Sequence, residues 1–424
     1  MRRRWHLVLA LLTPLLPAMA QDERRHSPDH PARGLPVSPG AFRPYADDPA
    51  HALNRLFRLL WLAELTPSEV GAVLGGDPRW EAGWVHGKRA GVAADRRLFG
   101  GDGRLLPLDG LGAAATSEVR TLLTRLAGGG EPGESLRTQP ELAVLCQHDL
   151  LRAAERLLDV GENPELVALL QRAALAIALP AASLASLRDP LRTLLADPAG
   201  SELATQLPQE LGGSDGAFRE VTRKSTRLFD AEKTLLWSSV FLAHPAGADA
   251  LAAMLPAALT GDATKKGPTV PIGFRAVLVQ GIVAVDRDGR PHATPLVFDV
   301  RTQRLANRDP LSGDNATFTH DGVDFGIWQL ERQGLRHGIA ARFFRRIEAD
   351  DQDLFRDYGT SKHTTYRGQC ALCHRLSGTP EPNLGGFPVL RPHAGAAFAA
   401  SANERRTLAE QQVQKLLDRL AAAR

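Results

Sequence analysis

The sequence predicts a mainly α protein. It should have a helical N-terminal region, a smaller segment built round a β-hairpin, and a helical C-terminal segment. Apolar residues recur at helical spacing through most of residues 48–265. β-branched residues gather once, just after residue 266. Helical spacing then returns over residues 401–420.

The chain opens with "MRRRWHLVLALLTPLLPAMA". Arg2 to Arg4 form a basic start, an apolar run follows from Leu7, and small residues close it at Ala18-Met19-Ala20. This is the pattern of a secretory signal over residues 1–20, and its apolar run is too short for a spanning helix. Residues 21–47 are polar and Pro-rich and read as a flexible lead-in. An α-helical domain is expected over residues 48–265. "DPAHALNRLFRLLWLAEL" is its first helix, and "TSEVRTLLTRLAGGG" is a second, stopped by Gly128 to Gly130. "ELAVLCQHDLLRAAERLLD" carries a stripe of Leu142, Cys146, Leu150, Ala153 and Leu157, which makes Cys146 a core residue. "NPELVALLQRAALAIAL" follows, and Pro190 breaks "SLASLRDPLRTLLA" in two. "DALAAMLPAAL" is a further helix that holds Met254.

Residues 266–349 read as an α+β segment. "FRAVLVQGIVAV" and "HATPLVFDVRTQRL" form a β-hairpin about the turn "DRDG", with Pro295 near an edge. Asp286, Asp288 and Gly289 serve that turn, because the other ligand positions of a calcium loop are missing. "FTHDGVDFGIWQLERQGLRHG" is expected to mix a loop with a helix. The formal net charge is +3, and removing Arg2, Arg3 and Arg4 leaves 3 − 3 = 0. A neutral mature chain offers no electrostatic footprint for nucleic acid. No stretch beyond the signal is long and apolar enough for an integral membrane span.

Residues 350–424 hold the chemistry. "GQCALCHRLSG" contains Cys370, Cys373 and His374, two of the three cysteines of the chain with a histidine directly after. C-x-x-C-H is the attachment signal for c-type haem. The thiols bond to the vinyl groups of the porphyrin, and His374 reaches the iron as proximal ligand. A redox C-x-x-C needs no His374, and a zinc site needs a second ligand pair, which does not occur near this motif in the sequence. One covalent haem c is therefore the expected cofactor. The export signal agrees, because such haem is attached outside the cytoplasm. The expected location is periplasmic.

The segment "LFRDYGTSKHTTYRGQCALCHRLSGTPEPNLGGF" resembles the start of a class I cytochrome c domain, with "PNLGG" in place of that family's loop after the haem histidine. The resemblance implies an α-helical haem domain over residues 350–424, closed by a helix packed across an opening one. That family usually supplies a downstream methionine to the iron. Here the methionines are Met1, Met19 and Met254, so another group is expected as distal ligand, or none. His393 in "LRPHAG" ranks first and His320 second. Three functions stay open: electron transfer to a redox partner protein, a peroxidase-like enzyme or small-ligand sensor with an open iron site, and a haem-bearing subunit that binds partners. His320 and Asp321 would serve the second as distal groups.

Overall fold

A computed structural model describes residues 43–61, 63–65, 97–99, 112–161, 163–209, 211, 218–221, 235–259, 271–305, 323–346, 354–356, 363–365 and 402–423. The expected signal, residues 1–20, lies outside them. α1 (Ala52–Trp61) buries Leu53, Leu56, Phe57 and Leu60 on one face. The predicted helix runs on to Leu65, but β1 (Ala63–Leu65) instead pairs antiparallel with β2 (Arg97–Phe99). α2 (Gly112–Ala127) stops at the expected glycines, and α3 (Glu131–Arg137) follows.

α4 (Pro140–Val160) and α5 (Pro164–Ala176) form a tight helical hairpin. Gly161 takes φ +71°, a conformation that a Cβ would strain, and its N–H donates to the carbonyls of Leu157 and Leu158. Asn163 then accepts from the Leu166 N–H at 3.2 Å, with Pro164 at the first helical position. Short helices α6 (Ala181–Ala185), α7 (Pro190–Ala196) and α8 (Glu202–Gln206) complete this half. Pro190 does mark the break, and Asp189 caps α7 through the Arg192 N–H.

The second half of the chain corrects the mainly α expectation. The described residues are 54% helix and 21% strand, a mixed α/β composition. β3 (Arg219–Val221), β4 (Leu236–Ala243), β5 (Arg275–Val285), β6 (Pro291–Leu305), β7 (Val323–Leu330) and β8 (Phe344–Arg346) make one antiparallel sheet in chain order. α9 (Ala248–Leu259) joins β4 to β5, and α10 (Arg332–His337) joins β7 to β8. The hairpin of β5 and β6 is the one foreseen, but it is the middle of a six-stranded sheet. β4 was hidden because both its faces are buried, so "LWSSVFLA" lacks the alternation of a half-solvated strand. β7 occupies part of the stretch expected as loop and helix. Pro295 lies near an edge as expected: β7 pairs with β6 only over Asp299–Leu305, so the stretch with Pro295 pairs with β5 alone, beside the register shifts between Gln280 and Val283.

The expected α-helical haem domain at the C-terminus is corrected as well. β9 (Leu354–Arg356) and β10 (His363–Thr365) pair antiparallel where an opening helix was implied. α11 (Ala402–Ala422) is the foreseen closing helix, but it packs on β4 and β6 and against α4 and α5. Val413, Leu416, Leu417 and Leu420 join one core cluster with Leu145, Leu170 and Val279. Arg419 ties the end of α11 to Asp159 of α4 at 2.6 Å.

Candidate functional site

Cys370, Cys373, His374, His393 and His320 all lie outside the described residues, as does Asp321. Thr365 and Ala402 are the described residues that bound the C-x-x-C-H stretch, at the end of β10 and the start of α11.

Directly opposed residues of an antiparallel pair share a face of the sheet. Trp237, Val279, Val300 and Trp328 fall on the face that joins the main core with the helices. The other face is different. One row crosses five strands from Ser238 through Gln280, Asp299 and Gln329 to Arg345. The next row runs Val240, Leu278, Arg301, Ile327. Gln280 is 1% exposed, Asp299 2% and Arg301 9%. Val240, Leu278 and Ile327 are buried too, yet stand outside the main core cluster. Burying such groups is costly unless they are paired, and Arg301 donates from Nε to Asp299 Oδ1 at 2.9 Å. Arg405, in the first turns of α11, donates to Ser238 Oγ at 2.9 Å. Asp299, Arg301 and Gln303 alternate with Val300 and Thr302 in the sequence, a pattern that reads as an ordinary solvated strand face and so concealed this layer.

A second polar cluster centres on α4. Gln147 locks three elements together: its amide donates to the Val285 and Ala174 carbonyls, and its oxygen accepts from the Val285 N–H. Asp149 accepts from Arg332 at 2.7 Å and from the Tyr45 hydroxyl. Burial holds that hydroxyl well above its ordinary pKa, against the pull of Arg332, so it stays a donor. Burial likewise pushes the Cys146 thiol up, so it is inert core, as its helical stripe implies. His148 packs against Phe298 at 5.4 Å between ring centroids, and neither of its ring nitrogens is hydrogen-bonded among the described residues.

A covalent haem asks for apolar contact with its macrocycle and cations for its carboxylates. The residues expected to hold one, Cys370, Cys373 and His374, lie outside the described residues, and the outer sheet face is already covered: Arg301 is paired with Asp299, and Val240 and Leu278 are buried. A small cavity of about 30 Å³ lies between the ends of α2 to α5, lined mainly by apolar residues such as Leu126, Leu136 and Ile177. Among the described residues no cluster of three His, Cys, Asp or Glu is set to hold a metal ion. No single helix among them is long and apolar enough to cross a membrane. No family model, curated protein or solved structure matches the chain.

Proposed function

We propose that this chain is an exported mono-haem c-type cytochrome that transfers electrons to or from a partner protein. The observation that carries the reading is C-x-x-C-H at residues 370–374, in a chain that begins with an export signal. Cys370 and Cys373 hold the porphyrin through two thioethers, and His374 ligates the iron. The haem supplies a one-electron iron couple when bound. The covalent bonds keep it with the chain in the periplasm, where a dissociable haem would be diluted away. His393, and after it His320, is the distal ligand of this reading. Two histidines in place of histidine and methionine imply a lower potential than that of a methionine-ligated cytochrome.

One observation favours a second reading, an open iron site for a small ligand: no methionine follows His374. Carbon monoxide separates the two. The first reading expects a low-spin ferrous haem that does not bind it, and the second expects immediate binding.

The reading as a whole is tested by Cys370→Ser combined with Cys373→Ser. Haem in the parent protein should survive denaturation and acid-acetone extraction, and the double variant should lose it. A parent protein that releases its haem under those conditions is not a c-type cytochrome.

A further inference from the structure

We propose that the cavity between the ends of α2 to α5 is a binding site for a short-chain monocarboxylate, with the apolar tail inside and the carboxylate met by Arg137 and Arg287. The site goes beyond the haem reading and does not rest on it.

The lining has two characters. Leu126, Leu136, Ile177 and Leu179 make the walls apolar, while Arg137 and Arg287 bring two guanidinium groups to the same cavity. Apolar walls with a few placed polar groups are the usual make-up of a small-molecule site. A molecule with one apolar end and one anionic end matches both parts. A planar carboxylate suits the guanidinium fork, which meets it with two parallel hydrogen bonds. The volume of about 30 Å³ selects a short tail.

Arg287 is held in place by its own turn. It lies between β5 and β6, and its backbone N–H donates to the Leu179 carbonyl at 3.2 Å. Its Nε donates to the Ala178 carbonyl at 3.1 Å. Its two terminal amines carry no hydrogen bond or ion pair among the described residues. Arg137 pairs with Glu134 at 3.9 Å, and the two side chains are 64% and 63% exposed. An exposed pair at that distance is weak, so both cations are open to an anion.

Gly133 is an independent observation. It is buried on α3 and lines the cavity. A Cβ there would meet Leu126 Cδ1 at 3.5 Å and Ile177 Cγ2 at 3.8 Å, both ordinary contacts. Its backbone is not in the left-handed region, so alanine would fit and would favour the helix. Packing and conformation therefore give no reason for glycine. The missing methyl keeps the cavity open, which a ligand requires and the fold does not.

Titration calorimetry of the full mature chain with formate, acetate and propionate at low salt tests the site. Affinity should rise about fourfold per added carbon, the fold-change of one buried methylene. Inorganic phosphate, which has the charge but no tail, should bind less tightly than propionate. Arg137→Met and Arg287→Met should each weaken propionate about tenfold, as loss of a hydrogen bond to a charged group implies. Gly133→Ala should keep or raise the melting temperature and abolish the rise from formate to propionate. If Arg287→Met does not fold, Arg137→Met carries the test. Any one of four results would overturn the site: no saturable propionate binding, phosphate at equal affinity, propionate affinity unchanged in the methionine variants, or an unchanged series in Gly133→Ala. The readout is binding and needs no haem, so failure here leaves the haem reading as it stands.

Discussion

Asp149 and Arg332 meet across 183 positions of sequence, and their side chains are 12% and 8% exposed. Removing one partner from a buried ion pair costs about 3–5 kcal/mol, because the other charge stays in the interior. Asp149→Ala should lower the urea midpoint accordingly, and a loss below about 1 kcal/mol would show that the pair is dispensable. Asp286 makes a different test. It anchors the β5–β6 turn by accepting from the Asp288 and Arg290 N–H groups, both at 2.9 Å, and from His292 at 2.7 Å. Burial works to raise its pKa, but the hydrogen bonds from Arg290, His292 and Asp288 outweigh it, and the group lies below its ordinary value. A depressed carboxylate contributes stability that is whole above the unfolded value of about 3.9 and is lost as pH falls through the folded value. Asp286→Asn should therefore be less stable than the parent at pH 7, and the two should converge on acidification below about pH 4. A gap of constant size from pH 7 to pH 3 would contradict this. None of these pairings is visible in the sequence, where Asp149 reads only as one more polar position on a long helix.

At the scale of elements, helices were the legible part. α2, α4, α5, α7 and α11 follow from apolar spacing, glycine stops and proline starts that act within a few residues. The strands were legible only where a turn announced them, as "DRDG" does for β5 and β6. β4 and β7 are recognised by their neighbours, since a strand buried on both faces has no alternation to read. The sheet also depends on one close approach. Gly281 pairs with Trp237 across β4 and β5, and a Cβ at Gly281 would collide with the Trp237 indole, whose Nε1 donates to the Thr294 carbonyl at 2.8 Å. Gly281→Ala should thus cost about 1–3 kcal/mol by forcing the ring out of place. A shift of the tryptophan fluorescence on substitution checks the cause, and an unchanged spectrum with unchanged stability would refute it.

For the whole molecule, one cluster of buried residues among the described ones runs from Tyr45 to Phe344 and takes in α11 from Ala409 to Leu420. The sequence pattern showed an amphipathic closing helix but not its partner, because an apolar stripe is the same whether it meets a helix or a sheet. The candidate site was legible in another sense. The proposed haem reading rests on the spacing of Cys370, Cys373 and His374, while the buried polar rows of the outer sheet face emerge only when β4 to β8 are assembled. The most direct measurement of the haem assignment is the intact mass of the exported protein, taken under denaturing conditions after expression with haem-attachment machinery. It should correspond to a chain beginning at Gln21 plus one haem. A mass equal to the polypeptide alone would contradict the assignment.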